Sequence, residues 1–143
     1  CEDRGMRGAG QNISPTSTGA SIAATEVIPS LKDKFGGLSL RVAHPGGSIA
    51  DITALMKQDV TVDEVNDVFR KAAQEDYYQG ILDATDEKLV SSDFIGNPCS
   101  SIVDLSLTAV VQGNLLKVVA WYDNEWAYSN RLVELTADVA KLV

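Results

Sequence analysis

Cysteine is scarce in this sequence. Cys1 and Cys99 are the only two in 143 residues, too few for a disulfide framework, so a reduced, cytoplasmic setting is expected. No apolar run approaches the ~20 residues of a membrane-spanning helix. No secretory leader is visible, because the start CEDRGMRGAG is polar and glycine-rich. No G-x-G-x-x-G occurs, so these residues carry no dinucleotide-binding turn of that kind. Asp63, Glu64, Asp67, Asp83, Asp86 and Glu87 are scattered acids that no His or Cys joins at ligand spacing, and no metal site is expected. Basic residues are in deficit, 12 against 20 acidic for a net charge of −8. That balance argues against nucleic acid or an anionic membrane as a partner, while leaving room for a local anion site.

What is present reads as one globular domain with a real core. Residues 1–17, charged and Gly-rich and then rich in Ser, Pro and Thr, are expected to be a loop leading into a core of 18–143. Ala20, Ala23, Ala24, Val27, Ile28 and Leu31 recur at the helical period, with Ser17 or Thr18 as N-cap and Pro29 near the end. Leu38–Val42 and Ser48–Lys57 read as strands on either side of a Pro45-Gly46-Gly47 turn. Thr61-Val62-Asp63-Glu64 is a capping box opening a helix with Val65, Val68, Phe69 and Ala72 on its buried face. Tyr77–Leu82 is expected as a turn and strand, and Leu89–Phe94, Ser101–Val111 and Leu115–Tyr122 as strands, with a hairpin turn at Gly113-Asn114. A last helix is expected over Trp126–Leu142. Strands joined by short turns predict an α+β fold, a largely antiparallel sheet with helices packed on one face.

Three places carry possible chemistry. Residues 118–133, VVAWYDNEWAYSNRLV, put a polar, aromatic junction where a strand hands over to a helix. The unpaired N–H groups of a helix start can point at a ligand, and the Asn124 amide offers both donors and an acceptor. The alternative is an N-cap with aromatic core anchors, Trp126 among them. Thr18-Gly19 opens the first helix, either as a simple cap or as an oxyanion cradle. Arg41 lies inside a strand pattern, an unusual place for a charge. It suits an edge position, an ion pair or a bidentate phosphate contact. His44 and Cys99 raise a Cys–His nucleophile reading, but neither sits in a nucleophile motif, and Cys99 in GNPCSS reads as a small turn or strand residue.

The wording of four segments is more specific than any of these patterns. WYDNEWAYSN resembles the C-terminal signature WYDNExGYSN of the glyceraldehyde-3-phosphate dehydrogenases. QNISPTSTGA at 11–20 is similar to that family's NIIPTSTGA, GLSLRVAHPGGSIADIT to its RVPTPxxSxxDxT, and LVSSDF at 89–94 to its VSSDF. Order and spacing agree from about residue 4 onward. The resemblance implies a phosphorylating oxidation of glyceraldehyde 3-phosphate to 1,3-bisphosphoglycerate with NAD or NADP and inorganic phosphate. It implies that Thr18, Gly19 and Arg41 bind phosphate, and that Asn124 and Tyr128 face the nicotinamide. It also implies a homo-oligomer, a homotetramer when complete, with Arg4 and Arg7 in a loop lining a neighbouring subunit's cofactor site, unless that loop is merely solvated.

Two departures stand out: Ala43-His44-Pro45 replaces Pro-Thr-Pro, and Ala127 replaces Gly. An added methyl at 127 is cheap in a helix and strained at positive φ. The family's nucleotide-binding domain and its catalytic Cys and His precede the matching region. With Cys1 in place of an initiating Met, the sequence is expected to be part of a longer chain, inactive as an isolated 143-residue polypeptide. No catalytic residue is assigned within it. An erythrose-4-phosphate dehydrogenase shares the same signatures. A non-catalytic standalone domain binding a phosphate compound or a protein partner is the alternative from another class.

Overall fold

A computed structural model describes residues 7, 8 and 10–142. It resolves into two compact units, Cys1–Pro45 and Gly46–Val143, and its α+β class is the expected one.

In the first unit, β1 (Ser14–Thr16) pairs antiparallel with β2 (Ser39–Arg41), in a register that sets Ser14 opposite Arg41 and Thr16 opposite Ser39. Three residues expected as loop therefore form a strand. Between the two strands runs α1 (Ala20–Val27). Ile28 leaves the helical region, with φ −120° and ψ 82°, because the residue before a proline is crowded out of it. A 3₁₀ turn over Pro29–Leu31 follows. No α1 residue is buried.

The second unit is built on a five-stranded sheet. β3 (Ser48–Leu55), β7 (Leu115–Tyr122), β5 (Ser101–Asp104) and β4 (Leu82–Thr85) lie in that order, with β6 (Ala109–Val111) also on β7. β3 pairs with every residue of β7, from Ser48 opposite Tyr122 to Leu55 opposite Leu115. β5 and β6 must therefore share the other edge of β7 end to end. The expected continuous strand Ser101–Val111 is broken between them by a 3₁₀ turn, Leu105–Leu107, where the Asp104 carboxylate accepts from the Ser106 N–H at 3.1 Å. Pairings to β7 are antiparallel, as expected, but β4 and β5 run parallel. Segment 86–100 makes the long connection that parallel neighbours need.

β7 is central, and Val118, Val119 and Ala120 are buried in succession, the signature of a strand covered on both faces. Val65, Val103, Leu105, Leu116 and Val118 form the core, with Phe69, Leu82 and Val110 packed against it. Val65 and Phe69 come from α2 (Val62–Ala72), which opens on the expected capping box. Thr61 accepts from the Glu64 N–H, and Glu64 accepts from the Thr61 N–H at 2.8 Å. Hydrogen bonds from the Thr61 hydroxyl and then its N–H hold the Glu64 carboxyl below its ordinary pKa. Val68, expected in the core, is exposed. The buried neighbour of Val65 is Asn66, whose Nδ2 donates to the Leu105 carbonyl at 3.1 Å.

The expected strand Leu89–Phe94 is instead a 3₁₀ turn over Ser91–Phe94. Asp93 reaches back to accept from the Val90 N–H at 2.8 Å, which closes the turn and prevents an extended backbone. The last helix, α3, spans Trp126–Ala140. It ends before the expected Leu142, and its apolar stripe has the expected period, yet Tyr128, Leu132, Leu135 and Val139 are 49–66% exposed.

Candidate functional site

The strand-to-helix junction is held by one carboxylate. Asp123 follows β7 directly and is buried. Its Oδ1 accepts from the N–H groups of Glu125 at 3.0 Å and Trp126 at 2.8 Å, and its Oδ2 accepts from the Gly96 N–H at 2.8 Å. Three backbone donors favour the ionised form and hold its pKa below the ordinary Asp value, the Gly96 bond contributing most. Asp123 thus takes up two N–H groups at the entry to α3, whose N-cap is Glu125, and it also ties α3 to the turn after Phe94.

Under the junction lies an aromatic anchor. Trp121 stacks on Phe94 with ring centroids 5.3 Å apart, and its Nε1 donates to buried Asp104 at 3.0 Å. The segment LVSSDF therefore serves the junction by supplying Phe94 beneath it. Trp126, expected as the anchor, is 52% exposed; Trp121 holds that place. Arg131 fastens the other side of the helix start, donating to the Gly80 carbonyl at 3.0 Å and to Ser100 Oγ at 3.2 Å.

Asn124 sits on this scaffold with its side chain exposed. The β3–β7 register places Ser48 opposite Tyr122, so the first residue of β3 lies beside the end of β7. From there Ser48 Oγ donates to Asn124 Oδ1 at 3.2 Å. Tyr128 lies in the first turn of α3, 66% exposed. Ala127 is helical, with φ on the ordinary negative side, and its methyl is buried, so its replacement of Gly carries no backbone strain. Sequence reasoning missed Ser48, Asp104 and Gly96. Asp123 was visible only as one polar residue of a crowded run.

Thr18, Gly19 and Arg41 fall together in the first unit. The N-cap of α1 is Gly19, with no side-chain cap, rather than Ser17 or Thr18; Thr18 Oγ1 accepts from the Ala20 N–H at 3.1 Å, which leaves its hydroxyl hydrogen available. Gly19 precedes the helix and is exposed. Arg41 ends β2 at the edge of the two-stranded ribbon and is exposed, with no ion pair among the described residues. The register sets it against Ser14 rather than against Thr18. Arg7 lines an open cavity of about 340 Å³ with Asn12, Ile13, Ser14 and Pro15; Arg4 lies outside the described residues.

Cys99 is half-buried with a free thiol. Burial, and then the nearby Asp83 charge, push its pKa up against the opposing pull of Arg131. An activated nucleophile is shifted the other way, so Cys99 does not have the environment of one.

The glyceraldehyde 3-phosphate dehydrogenase C-terminal domain model matches residues 2–124. A glyceraldehyde-3-phosphate dehydrogenase of Mycobacterium avium is 51% identical over 138 residues, which is 96% of this chain and 40% of that protein. One from Streptomyces coelicolor is 48% identical over 136 residues, 95% of this chain and 40% of that protein. Glyceraldehyde-3-phosphate dehydrogenase 2 of Bacillus subtilis is 47% identical over 137 residues, with 96% and 40% covered. The chain spans about 40% of the length of these relatives. It belongs to the glyceraldehyde-3-phosphate dehydrogenase family, with its match in that family's C-terminal domain.

Proposed function

We propose that this chain supplies the phosphate-binding and nicotinamide-facing part of a phosphorylating dehydrogenase. In the complete enzyme glyceraldehyde 3-phosphate is oxidised with inorganic phosphate to 1,3-bisphosphoglycerate. The observation that carries the reading is Arg41, a guanidinium on an edge strand, exposed and without an ion pair among the described residues. A planar fork of donors free of a carboxylate partner is suited to a phosphate oxyanion. Thr18 adds an O–H whose oxygen is already oriented by the Ala20 N–H. Gly19 adds the opening of α1, where the first N–H groups have no partner within the helix.

The second half of the reading is the cofactor side. Asn124 presents an amide on a backbone fixed by Asp123, and Tyr128 follows one helical turn later. A carboxamide needs both a donor and an acceptor opposite it, and an exposed Asn amide fits that requirement. Bound NAD or NADP would supply the hydride acceptor. The residues here bind and orient; they place charge and hydrogen bonds around reacting groups held elsewhere in the protein. A cytoplasmic homo-oligomer, a homotetramer in the complete enzyme, is part of the same reading. So is the assignment of 1–143 to the C-terminal part of a substrate domain. Among the described residues no helix is long and apolar enough to cross a membrane.

The test is Arg41→Ala in a complete polypeptide carrying this domain. Loss of a charge-assisted contact should raise the KM for phosphate roughly tenfold or more, with NAD affinity unchanged. An unaltered phosphate KM overturns the phosphate assignment.

A further inference from the structure

We propose that Ser48 is a positioning residue that holds the Asn124 amide in place against the cofactor. The inference rests on the reading of Asn124 as the nicotinamide-facing amide.

An Asn side chain turns easily about its last torsion, and its two faces are chemically opposite. One presents an acceptor oxygen, the other two N–H donors. At this junction three things remove that freedom. The backbone of residues 123–126 is pinned by the Asp123 carboxylate, through the N–H groups of Glu125 and Trp126. The end of β7 is pinned to the start of β3 by a register that holds over all eight residues of both strands. Ser48, first residue of β3 and half-buried, then donates its hydroxyl to Asn124 Oδ1 at 3.2 Å. With Oδ1 turned to Ser48, Nδ2 lies on the other side of the amide, and it has no acceptor among the described residues. An outward N–H pair matches the carbonyl oxygen of a carboxamide. A ring held through its carboxamide oxygen offers one face for hydride transfer.

A hydroxyl at position 48 is therefore worth more than its single exposed hydrogen bond. Without it, the Asn124 side chain loses the contact that holds it and is free to turn about its torsions. The carboxamide, and with it the ring, is then no longer held in one pose.

The experiment uses a complete enzyme carrying this domain and the variants Ser48→Ala, Ser48→Thr and Asn124→Ala. NAD affinity is read by equilibrium titration. Stereochemistry is read with NADH deuterated at one of the two C4 positions. Ser48→Ala should weaken NAD binding about two- to tenfold, the range expected for one hydrogen bond, and should mix the hydride stereochemistry, while the phosphate KM stays unchanged. Ser48→Thr keeps the hydroxyl and should restore both. Ser48→Ala added to Asn124→Ala should change neither readout further, because the residue acts through Asn124. If Asn124→Ala weakens NAD binding and Ser48→Ala leaves affinity and stereochemistry at their original values, the positioning role is overturned and the cofactor reading survives. If Asn124→Ala itself changes neither, both fall. A Ser48→Ala protein that loses thermal stability but keeps its stereochemistry also overturns the role.

Discussion

Asp123 Oδ2 accepts the Gly96 N–H at 2.8 Å across 27 positions of sequence, and this bond joins the turn after the 3₁₀ segment to the start of the last helix. Gly96 adopts φ +81°, a left-handed conformation that a side chain would strain. One carboxylate therefore organises two turns at once, and three backbone N–H groups depend on it.

Replacing Asp123 with Ala should destabilise the domain by about 1–3 kcal/mol, the cost of losing a charged acceptor shared by three backbone N–H groups. The native carboxyl is held below its ordinary pKa, so the folded state binds fewer protons than the unfolded one. Its contribution is fully present above the ordinary Asp value of about 3.8. It is lost as pH falls through the depressed native value. Urea titrations of wild type and Asp123→Asn from about pH 6 to about pH 2 measure this. The gap between them should narrow only in the acid range; a constant gap contradicts the assignment.

Ala127→Gly should lower stability by about 0.5–1 kcal/mol. Position 127 is inside α3 and its methyl is buried, so glycine there adds conformational freedom to the unfolded chain and removes packing. Thermal unfolding of the two proteins compares them directly. If the Ala127→Gly variant were the more stable of the two, the backbone at this position would be strained rather than helical.

The 143-residue polypeptide should self-associate and should not reduce NAD with glyceraldehyde 3-phosphate and phosphate. The exposed stripe on α3, with Leu132 at 49%, Leu135 at 61% and Val139 at 51%, is an apolar surface of the kind that seeks cover. The sequence has no glycine-rich dinucleotide turn, and its Cys99 thiol is shifted away from activation. Sedimentation should show species larger than a monomer, and Leu135→Glu with Val139→Glu should shift them downward. A monomeric wild type, or NAD reduction by material free of host enzyme, contradicts the respective half.

Local chemistry was legible in the sequence wherever a few neighbouring residues close their own interactions. The capping box of Thr61 and Glu64 spans four residues and is present as read. The strand Leu115–Tyr122 and the start of the helix at Trp126 were also legible, because apolar composition and a change of period announce them. The wording of four segments was enough to point to the family. Tertiary structure decided the rest. Leu89–Phe94 has strand-like composition, yet Asp93 closes it into a turn and Phe94 goes under Trp121. The parallel pairing of β4 and β5 depends on a crossover that no local pattern encodes. The apolar stripe of α3 was visible from its spacing, but spacing cannot say whether such a stripe is covered. Ser48 and Asn124 lie 76 positions apart, and only the register of two strands brings a hydroxyl to an amide. Hydrogen bonds of that separation are created by folding, so no reading of either segment alone contains them.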